Sequence, residues 1–254
     1  MFVPSVSRFS YTPVKGLALV HPREIYVSRD GSAENRLFYV IAEDGRRYEL
    51  RRDGRLALVG ASYEPETNTL TLRFPEGTVA EATVDVDGAV STDFYGRLVT
   101  GRVVVGPLAD ALSTFLGRPV RLVKTDRPGT ALDSERGTVS LVSEASLSDL
   151  ARTASLAGVD ERRFRMLSAL EGCQAHEEDE WVGRDVRVGR AVIRVLKRVV
   201  RCAATTHNPD TGRRDLDTLR LIQSYRGGKD VEFGVEAQVV APGRVAVGDH
   251  CELV

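Results

Sequence analysis

The run Arg201-Cys202-Ala203-Ala204-Thr205-Thr206-His207-Asn208-Pro209-Asp210-Thr211-Gly212 sets one soft sulfur beside basic residues and hydroxyls, ahead of a Pro-Asp turn. Arg198 and Arg201 bring positive charge near that sulfur, and the thiolate is the form that ligates a metal or attacks an electrophile. Taken alone, the run also suits a packed cysteine, because cysteine is among the most buried residue types. A second thiol, Cys173, precedes His176 and the carboxylates Glu177, Glu178, Asp179 and Glu180. A hard metal could bind such a cluster, but a run of carboxylates is more often a solvated face. Cys251, near the carboxyl end, reads as core. In the first half, Lys15-Gly16 lets an ammonium and a closely approaching backbone N–H meet one anion, while Arg36 and Arg51 offer planar forks for phosphate oxygens. These cations matter only if the fold gathers them.

The elements that must position these groups are mostly strands. Short stretches rich in Val, Leu, Ile and Thr recur between Gly, Asp and Pro, among them 37–42, 56–59 and 70–74. Asp44-Gly45 and Asp53-Gly54 suit the positive φ of tight turns, so hairpins are expected around both. In 107–116 the period changes: Leu108, Leu112 and Phe115 recur at helical spacing, Pro107 suits a first turn and Gly117 a stop. A hairpin is expected in 186–200, turning near Gly189-Arg190, with its second strand running into Arg201-Cys202. A helix should start at Asp215 or Asp217, turn Leu219, Ile222 and Tyr225 inward, and stop at Gly227-Gly228. The polar run 124–137 has no apolar period and reads as a long loop or lid.

The 254 residues suffice for one large β-barrel or two ordinary domains. A net charge of -1, from 35 basic and 36 acidic residues, gives no long-range field to gather nucleic acid or an anionic membrane. The three cysteines lack C-x-x-C spacing, which argues against a zinc ribbon, an iron-sulfur cluster or a disulfide framework. The amino-terminal segment lacks the charged start and apolar core of a signal peptide, so a soluble, cytoplasmic chain without membrane partners is expected.

Arg201-Cys202-x-x-Thr205-Thr206-x-Asn208-Pro209-Asp210-Thr211-Gly212, followed by Leu219 and Tyr225-Arg226, resembles the signature of the molybdenum-cofactor sulfurase C-terminal (MOSC) domain. Ser143 to Leu150, Phe164-Arg165 and Gly172-Cys173 with Glu178-Asp179 and Trp181 lie upstream in that family's order. Tyr11-x-Pro13-Val14-Lys15-Gly16, Asn35-Arg36 and Arg51 resemble the β-barrel domain found before MOSC domains. The resemblance implies a mainly β fold with a few helices (α+β), with a β-barrel-like domain over residues 1–118 and a MOSC barrel over 119–254.

Within the family the likeness is to its amidoxime-reducing branch. It implies molybdenum cofactor (molybdenum bound to molybdopterin) and reduction of N-hydroxylated or N-oxide small molecules by oxo transfer. It also implies that Cys202 is the molybdenum ligand and that Asp179 sits near the metal. Lys15, Gly16, Arg36, Arg51, Ser143, Arg165 and Thr205 would hold the cofactor. Electrons would come from a separate protein of ferredoxin, cytochrome b5 or flavin reductase type. The chain departs from the pattern at Met166-Leu167, where relatives place Pro-Asn, at Asn35 before Arg36, and in the loop 134–138. Two other readings of the sequence stay open: a biosynthetic or sulfur-transfer protein that uses Cys202 as a thiolate without molybdenum, and a non-catalytic binding barrel.

Overall fold

A computed structural model gives the structure of the chain and describes residues 3–127, 132, 138–227 and 231–254. Its largest sheet has seven strands in the order Ser5–Phe9, Ser168–Glu171, Thr138–Ser143, Glu232–Ala241, Ala191–Val200, Asp185–Val188 and Cys251–Leu253. Thr138–Ser143 runs parallel to Ser168–Glu171, and the other neighbours are antiparallel. The two edges nearly meet: Cys251 N–H donates to Pro4 O at 2.7 Å, and Val6 N–H to Asp249 O at 2.9 Å. The sheet is thus an almost closed barrel, the arrangement that leaves fewest unpaired strand edges.

Alternation fills this barrel. Along Ala191–Val200 the residues Ala191, Ile193 and Val195 are buried while Arg194 points out, the period of two that a half-buried strand requires. Val139, Leu141, Val235, Ala237 and Val239 join them in one apolar cluster with Ile25, Val27 and Val245. The last three come from a small sheet in which Gly243–Ala246 pairs with Glu24–Ser28. The barrel therefore takes a strand from the start of the chain, Ser5–Phe9, and its core is completed by residues of Glu24–Ser28 from the small sheet.

The rest of the first half has its own core. Phe38–Ala42, Val120–Thr125, Arg97–Val105 and Asp85–Phe94 form one sheet, and Gly60–Glu64, Thr69–Arg73 and Val79–Thr83 form another. Helix α1, Pro107–Leu116, packs Leu108, Leu112 and Leu116 against them, and it ends at Gly117 with φ 64°. That left-handed residue is the stop expected of glycine.

Most expected elements are present, with two differences. The stretch 56–59 is not a strand. Asp53 accepts from Arg55 N–H and caps a short 3-10 helix, Gly54–Leu58, which sends Leu56 fully into the core. The Asp-Gly pair acts there as a cap, not as a hairpin turn. Helix α2, Glu144–Thr153, was not anticipated. Ser143 caps it by accepting from Ser146 N–H, and Leu147, Leu150 and Ala151 are buried at helical spacing. Helix α3, Thr218–Arg226, is capped by Asp217 and buries Ile222. Most of the run read as a loop or lid, including 134–137, lies outside the described residues, while its first residues Lys124 and Thr125 belong to a strand.

Candidate functional site

The strand Ala191–Val200 stays paired with Glu232–Ala241 to its end, where Val200 faces Glu232. Its register shifts after Val192, after Val195 and again after Arg198, and such bulges bend a strand and re-aim the residues beyond them. Cys202 comes directly after, in extended backbone at φ -123° and ψ 173°, and its side chain is exposed. Thr205 fixes this corner: its N–H and its hydroxyl both reach Cys202 O, at 3.1 and 3.0 Å, and its hydroxyl lies 2.5 Å from that of buried Thr218 in α3. The cysteine is thereby held at a barrel mouth on a pinned turn.

A cleft of about 560 Å³ opens at that point. Its lining brings together seven of the nine candidate residues: Lys15, Gly16, Arg36, Arg51, Arg165, Cys202 and Thr205. Gly16 has φ 93°, a backbone that L side chains rarely adopt, so glycine is required in the turn that presents Lys15. Arg36 and Arg165 adopt left-handed backbone as well, at φ 59° and 54°. Their guanidiniums interlock with main chain: Arg36 Nη2 donates to Arg165 O at 3.1 Å, and Arg165 Nη2 to Leu17 O at 2.5 Å. Strained backbone at two cleft arginines is the sort of cost that functional sites carry. Arg51 Nε donates to Glu49 Oε2 at 2.9 Å and the side chain stays half exposed.

Two candidates fall outside the lining. Ser143 is fully buried; its hydroxyl caps α2 and its N–H donates to Glu178 Oε1 at 3.1 Å. Asp179 is buried and binds Arg226 at 2.5 Å and Arg198 at 3.4 Å through Oδ2. Arg198 does line the cleft, so Asp179 reaches it only through that guanidinium. Glu178 is also turned inward, to Ser146 Oγ at 2.9 Å, and burial raises its pKa against the help of the Ser143 and Ser146 donors. The acidic run is therefore no metal cage: among the described residues no group of His, Cys, Asp and Glu is placed to hold a metal ion.

Several lining residues were not singled out from the sequence: Glu49, Tyr95, Ser140, Arg163, Lys197 and Glu236; Met166 and Leu167, noted there only as departures from the family pattern, lie on the apolar side, and Thr138, from the departing loop, also lines the cleft. Arg201, noted only as a neighbour of Cys202, donates to Phe164 O and lies 5.4 Å from the Phe164 ring centroid. Eight lining side chains are basic (Lys15, Arg36, Arg51, Arg163, Arg165, Lys197, Arg198, Arg201) against the carboxylates Glu49 and Glu236, so the cleft suits an anion. Thr138, Ser140 and Glu236 carried a usable signal, being polar residues on strands that otherwise alternate with buried apolar ones.

The loop after Cys202 also clasps the first half. Gly54 and Gly212 meet so closely that a Cβ on Gly54 would sit 1.9 Å from Gly212 O and 2.2 Å from His207 Nδ1. His207 Nδ1 lies 3.0 Å from Gly212 O, which assigns its proton to that nitrogen, and Nε2 accepts from Arg214 Nε at 3.2 Å. Arg214 Nη2 then donates to Arg51 O at 2.8 Å, so the cysteine loop sets where Arg51 stands. Farther along, Arg163 donates to Asp215 at 2.7 Å; burial works against that carboxyl, yet the Asn208 and Arg163 donors hold it below the usual carboxylate range.

Residues 128–252 match the model of the MOSC domain, and residues 3–119 match that of the MOSC N-terminal beta barrel domain. The chain belongs to the MOSC family. Its barrel and mainly β architecture are those expected of that family. Among known proteins this MOSC chain is 27% identical to mitochondrial amidoxime-reducing component 1 of Homo sapiens, over 89% of this chain and 74% of that one. It is 28% identical to the Xenopus laevis protein of the same name, over 96% and 80%. It is also 28% identical to mitochondrial amidoxime reducing component 2 of Bos taurus, over 87% and 73%. These names overturn the cytoplasmic expectation, since the relatives are mitochondrial components. No helix among the described residues is long and apolar enough to cross a membrane.

Proposed function

We propose that this MOSC protein is a molybdenum-cofactor-dependent reductase of N-hydroxylated or N-oxide small molecules, fed with electrons by a separate donor protein. The observation that carries the reading is the meeting of one exposed thiol, Cys202, with Lys15, Arg36, Arg51 and Arg165 in a single cleft. The relatives named as amidoxime-reducing components supply the substrate class. We divide the chain into a MOSC N-terminal β-barrel-like domain, 1–118, and a MOSC domain, 119–254, with the cleft lined from both.

The donor set fits the cofactor. A soft sulfur at the barrel mouth suits molybdenum, and guanidinium forks with an ammonium suit the phosphate of the pterin. When bound, the cofactor would supply a redox metal capable of oxo transfer. Overall, the N–O bond would be reduced with two electrons from the donor protein and two protons, giving water and the deoxygenated nitrogen product.

Cys202 would hold the metal through its sulfur, and Thr205 with Thr218 fixes the backbone from which that side chain projects. Lys15, beside Gly16, and Arg36, Arg51 and Arg165 bind the anionic end. Asp179 is a positioning residue that aims Arg198, and Ser143 steadies the start of α2. Phe164, Met166 and Leu167 exclude water from one wall.

The test is elemental and pterin analysis of the full chain expressed with cofactor biosynthesis intact, beside Cys202→Ser. Wild type should carry molybdenum and pterin in near-equal amounts, and Cys202→Ser should lose the metal. A wild-type protein free of both, under conditions that load a known relative, overturns the reading.

A further inference from the structure

Tyr95 enters the cleft from the first half of the chain, at the tip of the hairpin formed by Asp85–Phe94 and Arg97–Val105. Its backbone φ is 60° and that of Gly96 is 87°. Two successive positive φ angles make a tight turn that Asn-Gly fills easily, whereas a bulky side chain at the first position is disfavoured. Local folding therefore does not ask for an aromatic ring at this place.

The ring is nevertheless 62% exposed and stiffened from behind. The guanidinium carbon of Arg47 lies 4.1 Å from its centroid, and Glu49 Oε1 accepts from Arg47 Nη1 at 2.9 Å. The Tyr95 hydroxyl points to the same carboxylate at 3.4 Å. One face of the ring is covered by Arg47 and the rest is open. Desolvation, then the charge of Glu49, pushes the phenol pKa up, so the hydroxyl stays neutral and adds no anion to the cleft. Val200, on the strand leading to Cys202, is 63% exposed and also lines the cleft. An apolar residue and an aromatic one thus line the same cleft as the exposed thiol and the basic side chains.

We propose that Tyr95 is a specificity-determining residue: its open ring face is a shelf on which the planar, conjugated body of the substrate stacks while the N–O group lies at the Cys202 end. The shelf favours flat, conjugated members of the N-hydroxylated class over small saturated ones, a preference that rests on the reductase reading above. A small saturated substrate gains nothing from the shelf, while stacking gives a flat one a preference of about tenfold.

The experiment uses the full chain as wild type, Tyr95→Asn and Tyr95→Phe, with benzamidoxime and acetamidoxime as probes. Asparagine suits left-handed backbone, so Tyr95→Asn removes the ring while keeping the turn. Reduction is followed with reduced methyl viologen as electron source, and benzamidoxime binding is measured separately by calorimetry. Tyr95→Asn should raise KM and Kd for benzamidoxime about tenfold, leave kcat within about twofold, and leave acetamidoxime unchanged; Tyr95→Phe should match wild type. Equal losses for both probes, unchanged benzamidoxime binding in Tyr95→Asn, or no benzamidoxime binding to wild type would each overturn the shelf. Failure of the reductase reading shows differently, as wild type without molybdenum that reduces neither probe, and the calorimetric comparison still decides the role of Tyr95.

Discussion

Cys202 and Cys251 are two sulfurs of one barrel in opposite settings. Cys251 lies on the closing strand, is 4% exposed and packs among Val6, Val186 and Val188, where burial pushes its thiol up to about 12. Cys202 sits past three register shifts, exposed, on a turn pinned by Thr205 and in the lining of a basic cleft. Cys173 lies between them, half-buried, with its thiol raised by burial and then by Glu177 and Glu178. The same side chain is inert filling where the strand keeps its register and, in the function proposed above, would be a ligand where the strand breaks it.

The contrast is sharpest under paired substitution. Cys202→Ser should abolish molybdenum retention and all activity while leaving Tm within about 2 °C, because an exposed side chain contributes little to packing. Cys251→Ser should do the reverse. It places a hydroxyl in an apolar core at a cost of about 2 kcal/mol, a Tm drop of roughly 5 °C by calorimetry, with molybdenum per folded chain unchanged. If Cys251→Ser strips the metal as completely as Cys202→Ser, the distinction between the two sulfurs fails.

Alkylation tests the same distinction without mutation. Iodoacetamide at pH 7.5 should label Cys202 of the native cofactor-free chain on the order of a hundredfold faster than Cys251, with Cys173 also slow, and all three should react after unfolding. Peptide mass spectrometry reads the order directly. Comparable labelling of Cys251 in the native protein would mean that the barrel opens at its closing strand.

How much of this contrast was legible in the sequence differs between fold and site. Alternation and turn residues gave the strands at 37–42 and 70–74, α1 and α3, and the barrel hairpin whose second strand runs into Cys202, but not the barrel strands Ser5–Phe9, Thr138–Ser143, Ser168–Glu171 and Glu232–Ala241. They misread 56–59, because an apolar run of four does not say whether Asp53 will turn a hairpin or cap a helix. They also missed α2, whose cap is the Ser143 hydroxyl. The gathering of Lys15, Arg36, Arg51 and Arg165 is not written in any local pattern, since these residues come from separate segments and meet only through tertiary packing. Family resemblance pointed to them, and it equally pointed to Ser143 and Asp179, which the fold uses as a helix cap and an arginine tether. Tyr95 had a faint local signal, a tyrosine where a tight turn prefers asparagine.

The clasp between halves offers a smaller effect than loss of the sulfur. Gly54→Ala forces a methyl against Gly212 O and His207 Nδ1, and such overpacking costs about 1–3 kcal/mol. It should displace Arg51 through Arg214 and lower pterin retention about tenfold, measured on the folded fraction, with Cys202 alkylation unchanged. Normal pterin content despite the lowered stability would show that the clasp is structural alone.

The smallest effect concerns the buried carboxylate beside Asp179. Glu178 is fully buried, with Oε1 accepting from Ser143 and Ser146 and Oε2 without a hydrogen bond. Burial raises its folded pKa above the unfolded value near 4.3, so the folded state holds a proton that the unfolded chain releases. The penalty is therefore absent below the unfolded pKa and grows as pH rises through the folded one. Glu178→Gln removes the titration and keeps an acceptor for Ser143 and Ser146. It should raise Tm by about 2 °C at pH 8 relative to wild type, with the gain shrinking to nothing by about pH 4. A gain independent of pH, or a loss at pH 8, would show that the ionised carboxylate is stabilised in place, and the inert side of the barrel would then hold a charge that the fold needs.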